Sequence, residues 1–484
     1  MNSQAPTPVT LLSVESSGLK AAVGLIVGLF LILLMVLRVL PFVRLSTLLL
    51  FIASACFLLV RRHRTPDLMH PVRVFGALWC FCLALASMHL LSYISDWDLL
   101  TWSCFLTGLA AFMVGFWGAD IASKRRGAPP RRASADLPFP HLLPVRRTLI
   151  VACLCLAVGM AVMAYEYHLL GEIPILSDNP DVARFRLFGT ADPEFNKLYL
   201  KLLHPLVDFI KYGIFLAVIV LCQRTTKSKK VIILSGSLIL LGILVLSSQG
   251  GRIFVVYTAI PSAVLFHYLR RRIRLVELGA AVLVFFLFLG LFGYTRSAAS
   301  QSAPIFDRVR RISSFPEGQF WDGVAFGYGT LTLSYEVFFR LTGDLRNMQP
   351  PSGGFLFYSL HRFLPRASLG EIAGDLYSGE FVTATFLGEL YGDYRYWGVL
   401  FGPLLLGLTY GWVYSRTGEL NSMYSVYVRA LLVQMVIFFP YVNLFSIYIN
   451  WVFDLVFMYL LLRRLAIRRA RPLLPVAVGT SAPI

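Results

Sequence analysis

Twelve apolar runs, each close to the length a helix needs to cross a bilayer, leave this chain few ways to fold. They cover roughly 20–38, 43–60, 74–94, 99–118, 148–168, 206–222, 231–247, 253–269, 275–293, 396–414, 426–443 and 447–463. About 20 apolar residues in helical conformation span the hydrocarbon core, where each backbone polar group must be bonded within its own segment. Charge is scarce as well. Only 14% of the 484 residues are charged and mean hydropathy is +0.69, whereas soluble domains carry about 25% charged residues. The expected fold is an all-α polytopic integral membrane protein with about 12 transmembrane helices. Soluble cytoplasmic, nuclear and simple secreted classes are excluded.

Basic clusters then orient the spans. Arg61–Arg64, Lys124–Arg132, Arg146–Arg147, Arg224–Lys230, Arg270–Arg274 and Arg463–Arg471 punctuate alternate connections. Lysine and arginine accumulate on the cytoplasmic side, so both termini are expected there. The 44 basic and 26 acidic residues give a net charge of +18, and most of that excess falls on the cytoplasmic connections. It is an effect of topology, and no nucleic-acid partner is expected. The first run follows a polar tail and lacks a small-residue cleavage site, which makes it a retained span.

On this topology 1–19 is a cytoplasmic tail and 20–118 holds the first four helices. A basic, proline-rich cytoplasmic linker (119–147) follows. Helices five to nine occupy 148–293, with an outer loop at 169–205. A large outer loop covers 294–395, the last three helices 396–463, and a basic cytoplasmic tail 464–484. Residues 323–341 are apolar enough to raise the question of a further span. A thirteenth crossing would turn the basic tail outward, so an interfacial or re-entrant segment is expected instead. All seven cysteines lie in apolar runs, which argues against a disulfide framework.

Candidate chemistry concentrates at the outer ends of the spans. Ser247–Arg252 forms a tight glycine turn, and Arg252 opens the next helix. A guanidinium there either snorkels to lipid phosphate or grips a substrate phosphate. In the first outer loop, Arg184 and Arg186 flank Phe185, after Asp178–Asp181; they serve an anion or simply a solvated loop. The large loop carries His361, Arg362 and Arg366, joining one titratable group to two permanent cations. Farther on, Glu389, Tyr391, Asp393 and Arg395 lead into the tenth span. Glu389 and Asp393 share a helix face at i and i+4, suited to proton transfer or to pairing with loop cations. Asp208 and Lys211 are expected to pair at i,i+3, and Asp454 lies mid-span, where a carboxylate faces protein or a cavity. No phosphate loop, H-E-x-x-H or paired C-x-x-C is present, so neither a metal nor a cofactor is expected.

At Thr383–Leu408 (TATFLGELYGDYRYWGVLFGPLLLGL), GGRIFVVYTAI from Gly250, NPDVARFRLFG from Asn179 and GGFLFYSLHRFLPR from Gly353, the chain resembles the bacterial oligosaccharide repeat-unit polymerases of the Wzy type. The resemblance covers roughly 140–460. It departs from members that carry an Arg-x10-Gly motif, since no outer arginine here has a glycine at that spacing. The resemblance implies a glycosyltransferase of a bacterial cytoplasmic membrane, with its active site facing the periplasm or cell exterior. It would join undecaprenyl-pyrophosphate-linked oligosaccharides among membrane lipids, alongside a chain-length regulator and a flippase of the same pathway. Catalysis would then fall to Glu389, His361 or Asp393. Substrate and pyrophosphate would fall to Arg252, Arg184, Arg186, Arg362, Arg366, Tyr391 and Arg395. A ligase using the same donor, or a lipid-linked oligosaccharide flippase, are the alternatives.

Overall fold

The computed structural model describes residues 44–59, 67–91, 94–125, 143–187, 203–223, 228–299, 318–345, 384–417, 422–441 and 448–466. The first predicted span, most of the 119–147 linker, much of the large loop and the C-terminal tail lie outside these residues. Among them the regular structure is helical: α1 Leu45–Leu59, α2 Pro71–Ala86, α3 Leu99–Arg125, α4 Val145–Leu170, α5 Pro180–Leu187, α6 Phe209–Cys222, α7 Lys229–Ser247, α8 Arg252–Leu269, α9 Leu275–Ala299, α10 Gln319–Asp344, α11 Leu387–Arg416, α12 Met423–Phe438 and α13 Tyr448–Leu465. Short 3-10 turns lie at Pro174–Leu176 and His204–Asp208. Among the described residues, six helical stretches are long and apolar enough to cross a membrane, within α3, α4, α6 with its preceding turn, α7, α9 and α11.

Two apolar cores organise the helices. The first is aromatic, built on Phe75, Trp79, Phe105, Phe112, Tyr335 and Phe386 from α2, α3, α10 and the start of α11. The second is mostly aliphatic and joins α4, α6, α7, α8, α12 and α13 around Leu156, Ile214, Val264 and Met458. Outside the cores, Ile233, Leu240, Val284 and Leu405 remain exposed on α7, α9 and α11. Such apolar faces need hydrocarbon rather than water.

Glycine permits the closest helix approach, as is common where lipid supplies no hydrophobic drive. A Cβ on Gly407 or Gly411 of α11 would collide with the carbonyl oxygens of Phe112 or Phe116 on α3. In the second core, Gly213 of α6 lies against Ala152 and Leu156 of α4.

Opposite ends of the bundle are pinned differently. At the end marked by the basic clusters, Asp67 accepts from the Tyr268 hydroxyl at 2.8 Å and pairs with His267 at 3.3 Å. Burial pushes the Asp67 carboxyl up, but His267 and the Tyr268 hydroxyl outweigh it and hold the group below the usual carboxylate range. At the other end, α10 crosses the α2–α3 connection. Its Tyr328 hydroxyl donates to Leu85 O at 2.6 Å, and Thr342 bonds Thr101 at 3.2 Å. Between them the buried Glu336 carboxylate accepts from Ser95 N, Ser95 Oγ, Trp97 Nε1 and Arg340 Nε. The 323–341 segment is therefore part of one helix, packed against α9, α2 and the α2–α3 connection.

Candidate functional site

Two groups of predicted residues are described at the end expected to face outward. The first forms around the end of α4. Gly171 stops α4 in a left-handed conformation (φ 77°), the arrangement glycine adopts without strain. The chain then makes the Pro174–Leu176 turn and enters α5, where Asn179 caps through its Oδ1 to Val182 N at 3.3 Å and Pro180 takes the first helical position. The predicted Asp178–Asp181 cluster is thus a helix start. In α5, Arg184 and Arg186 stand two residues apart, about 200° around the axis. Their backbone positions therefore fall on different faces of the helix. Arg186 pairs with Glu172 at 3.4 Å. The backbone of Arg184 is described, but its side chain is not.

This loop docks on the turn that opens α8. Ile175 N donates to Ser248 O at 3.2 Å, and the Tyr167 hydroxyl bonds Ser248 Oγ at 2.8 Å. Gly250 takes φ 70°, and a Cβ on Gly251 would meet the Phe254 ring at 2.8 Å, so both glycines are needed. Gly251 is the N-cap of α8 and has no side chain to satisfy the first backbone N–H groups, which leaves a helix start suited to an anion. Arg252 is the first residue of that helix; its side chain lies outside the described set. Packing of α5 on the 3-10 turn, on α4 and on α9 brings the Arg184 segment and the start of α8 to one region.

The second group lies in the aromatic core. Phe386 N bonds Phe439 O at 3.0 Å, Leu387 abuts Gly108, and α11 starts inside the bundle. At Arg395 the helix breaks, with φ 54° and ψ −142°. Leu390 then packs against Gly398 and Gly402 beyond the break, so 387–394 folds back along the start of the longer segment. Glu389 and Asp393 on this short arm are each 1% exposed, and Tyr391 meets the ring of Phe338 at 5.7 Å. Arg395 bonds the Tyr391 and Gly392 carbonyls, closing the arm's C-terminus. The long segment thus begins just past the break at Arg395, where the tenth run was expected to start, and the carboxylates stand on the short arm that precedes it. His361, Arg362 and Arg366 lie outside the described residues.

The two groups belong to different cores. α8 packs on α12, α6, α7 and α9, whereas α11 packs on α3, α10 and α12; α12 is their common neighbour. Several polar contacts escaped the sequence reading. Lys211 pairs with Asp208 at 3.1 Å as expected, but also with Asp454 at 2.8 Å, to which the Tyr212 hydroxyl donates at 2.6 Å. Glu166, at the outer end of the fifth run, pairs with His204 at 2.9 Å. A carboxylate inside an apolar run was the available signal, but its partner lies 38 residues away. No family model, curated protein or solved structure matches this chain. The fold itself defines an α-helical membrane protein.

Proposed function

We propose that this protein is a polysaccharide polymerase, joining undecaprenyl-pyrophosphate-linked oligosaccharide units at the outer face of a bacterial cytoplasmic membrane. The observation that carries the reading is the docking of the first outer loop on the Ser247–Gly251 turn. It sets the α5 segment beside an uncapped helix start that opens on Arg252. Helix N-termini and guanidinium groups both favour phosphate. In the reaction, an acceptor sugar hydroxyl attacks the anomeric carbon of the donor. The bond to the pyrophosphate oxygen breaks, and the fixed cations stabilise the charge that develops on the leaving group. Glu389, buried beside Asp393 on the folded-back arm, takes the hydroxyl proton.

The test is chain extension by purified protein in liposomes, supplied with lipid-linked units extracted from a strain lacking the gene. Arg252→Ala, Arg184→Ala and Glu389→Gln should each lower the rate by about 10²–10³-fold at matched protein amount. Full activity in any one of them removes that residue from the site.

One observation favours a second reading. A broken helix together with a buried Lys211–Asp454 pair suits a flippase for the same lipid-linked glycan. A flippase would move units between leaflets without lengthening them.

A further inference from the structure

The end of α4 carries buried acceptors that the phosphate site does not use. Glu166 is 3% exposed and Gln249 fully buried. His204 Nδ1 donates to Glu166 Oε1 at 2.9 Å, and the Gln249 amide nitrogen points to Met163 Sδ at 3.2 Å. Glu166 Oε2 and Gln249 Oε1 are each buried without a donor, an unfavourable state for either group. These atoms belong to one neighbourhood. Met163, Glu166 and Tyr167 share a turn and a face of α4, and Met163 and Tyr167 touch Gln249 and Ser248 respectively. The site therefore asks for hydrogen-bond donors. Phosphate, which brings acceptors and negative charge, is the wrong ligand for it. The next residues after Gln249, however, are the glycine turn and the start of α8, where phosphate fits.

We infer that Glu166 and Gln249, with His204 orienting Glu166, form a subsite for hydroxyl groups of the sugar attached directly to the lipid pyrophosphate. The inference rests on the polymerase reading and names the part of its substrate that this end of α4 holds. A sugar on pyrophosphate presents hydroxyl donors immediately beside its phosphates, matching the order Gln249, Gly250, Gly251, Arg252 along the chain. Glu166 and Gln249 are binding residues in this assignment, and His204 is a positioning residue.

Binding to nanodisc-embedded protein tests the subsite independently of turnover. The probes are lipid-linked units extracted from a strain lacking the gene and bare undecaprenyl pyrophosphate. Wild type should bind the glycosylated carrier at least about tenfold more tightly than the bare one, a difference of ~1.4 kcal/mol. Glu166→Gln and Gln249→Ala should reduce that preference below about threefold, with bare-carrier affinity unchanged within about twofold. His204→Ala should weaken the preference, and His204→Gln should retain part of it through its amide donor. Unchanged affinity for the bare carrier also shows that a variant is folded. An undiminished preference in both Glu166→Gln and Gln249→Ala overturns the subsite, as does a wild type that binds both carriers equally. Chain extension assayed in the same preparation separates the two claims: preference without extension sinks the polymerase and leaves the subsite standing.

Discussion

Arg395 holds a backbone conformation that glycine normally occupies, with φ 54° and ψ −142°. Such a residue costs about 1–3 kcal/mol and persists only where its surroundings over-determine it. Here the surroundings are its own bonds to the Tyr391 and Gly392 carbonyls and the fold-back of Leu390 onto Gly398 and Gly402. Arg395→Gly relieves the backbone but removes the guanidinium. The detergent-extracted protein should melt no lower than wild type, while chain extension falls at least about tenfold. A marked drop in melting temperature with normal extension would make Arg395 a structural cap alone. At this scale the sequence showed Glu389, Asp393 and Arg395 because they cluster locally before an apolar run. It hid the Glu166–His204 and Lys211–Asp454 pairs, whose members are distant in the chain and meet only through packing.

At the scale of elements, α3 and α11 form a close glycine-mediated contact. Phe112 and Phe116 carbonyls occupy the space where side chains on Gly407 and Gly411 would stand. Gly407→Leu should cost at least about 1–3 kcal/mol through overpacking, seen as lost monodisperse protein on size-exclusion in detergent. Gly236 on α7, with open space around it, is the matched control, and Gly236→Leu should be tolerated. Equal tolerance at both positions would contradict the packing. Eleven of the twelve apolar runs overlap a described helix, since apolar length is a direct signature of a helix in lipid. The ends are less legible. α2 stops at Ala86, where Ser87 bonds back to Ala84 O and starts the turn that Glu336 holds. Before the tenth run, the arm 387–394 folds back through tertiary contacts that no apolar run reveals.

Among the described residues, two cores are joined chiefly through α12, and α10 belongs to the first of them. In the second core the Lys211–Asp454 pair ties α6 to α13. Lys211→Met alone leaves Asp454 buried without its cation and should destabilise by about 3–5 kcal/mol; Lys211→Met with Asp454→Leu should recover most of that loss. Thermal melting of both variants in one detergent checks this, and an unaltered single variant would show that the pair contributes no stability. Fold class was legible from apolar length and the scarcity of charge. The candidate site was legible only in part, because its described groups belong to separate cores, and no local spacing encodes which core a residue joins. The central claim, that lipid-linked units are joined at the outer face, is tested most directly by the size profile of lipid-linked and surface glycan in a strain lacking the gene. The account predicts single repeat units accumulating on the outer leaflet, with long chains absent and restored by the wild-type gene. Long lipid-linked chains that never reach their final acceptor, or units trapped on the cytoplasmic leaflet, would contradict it and point to a ligase or a flippase respectively.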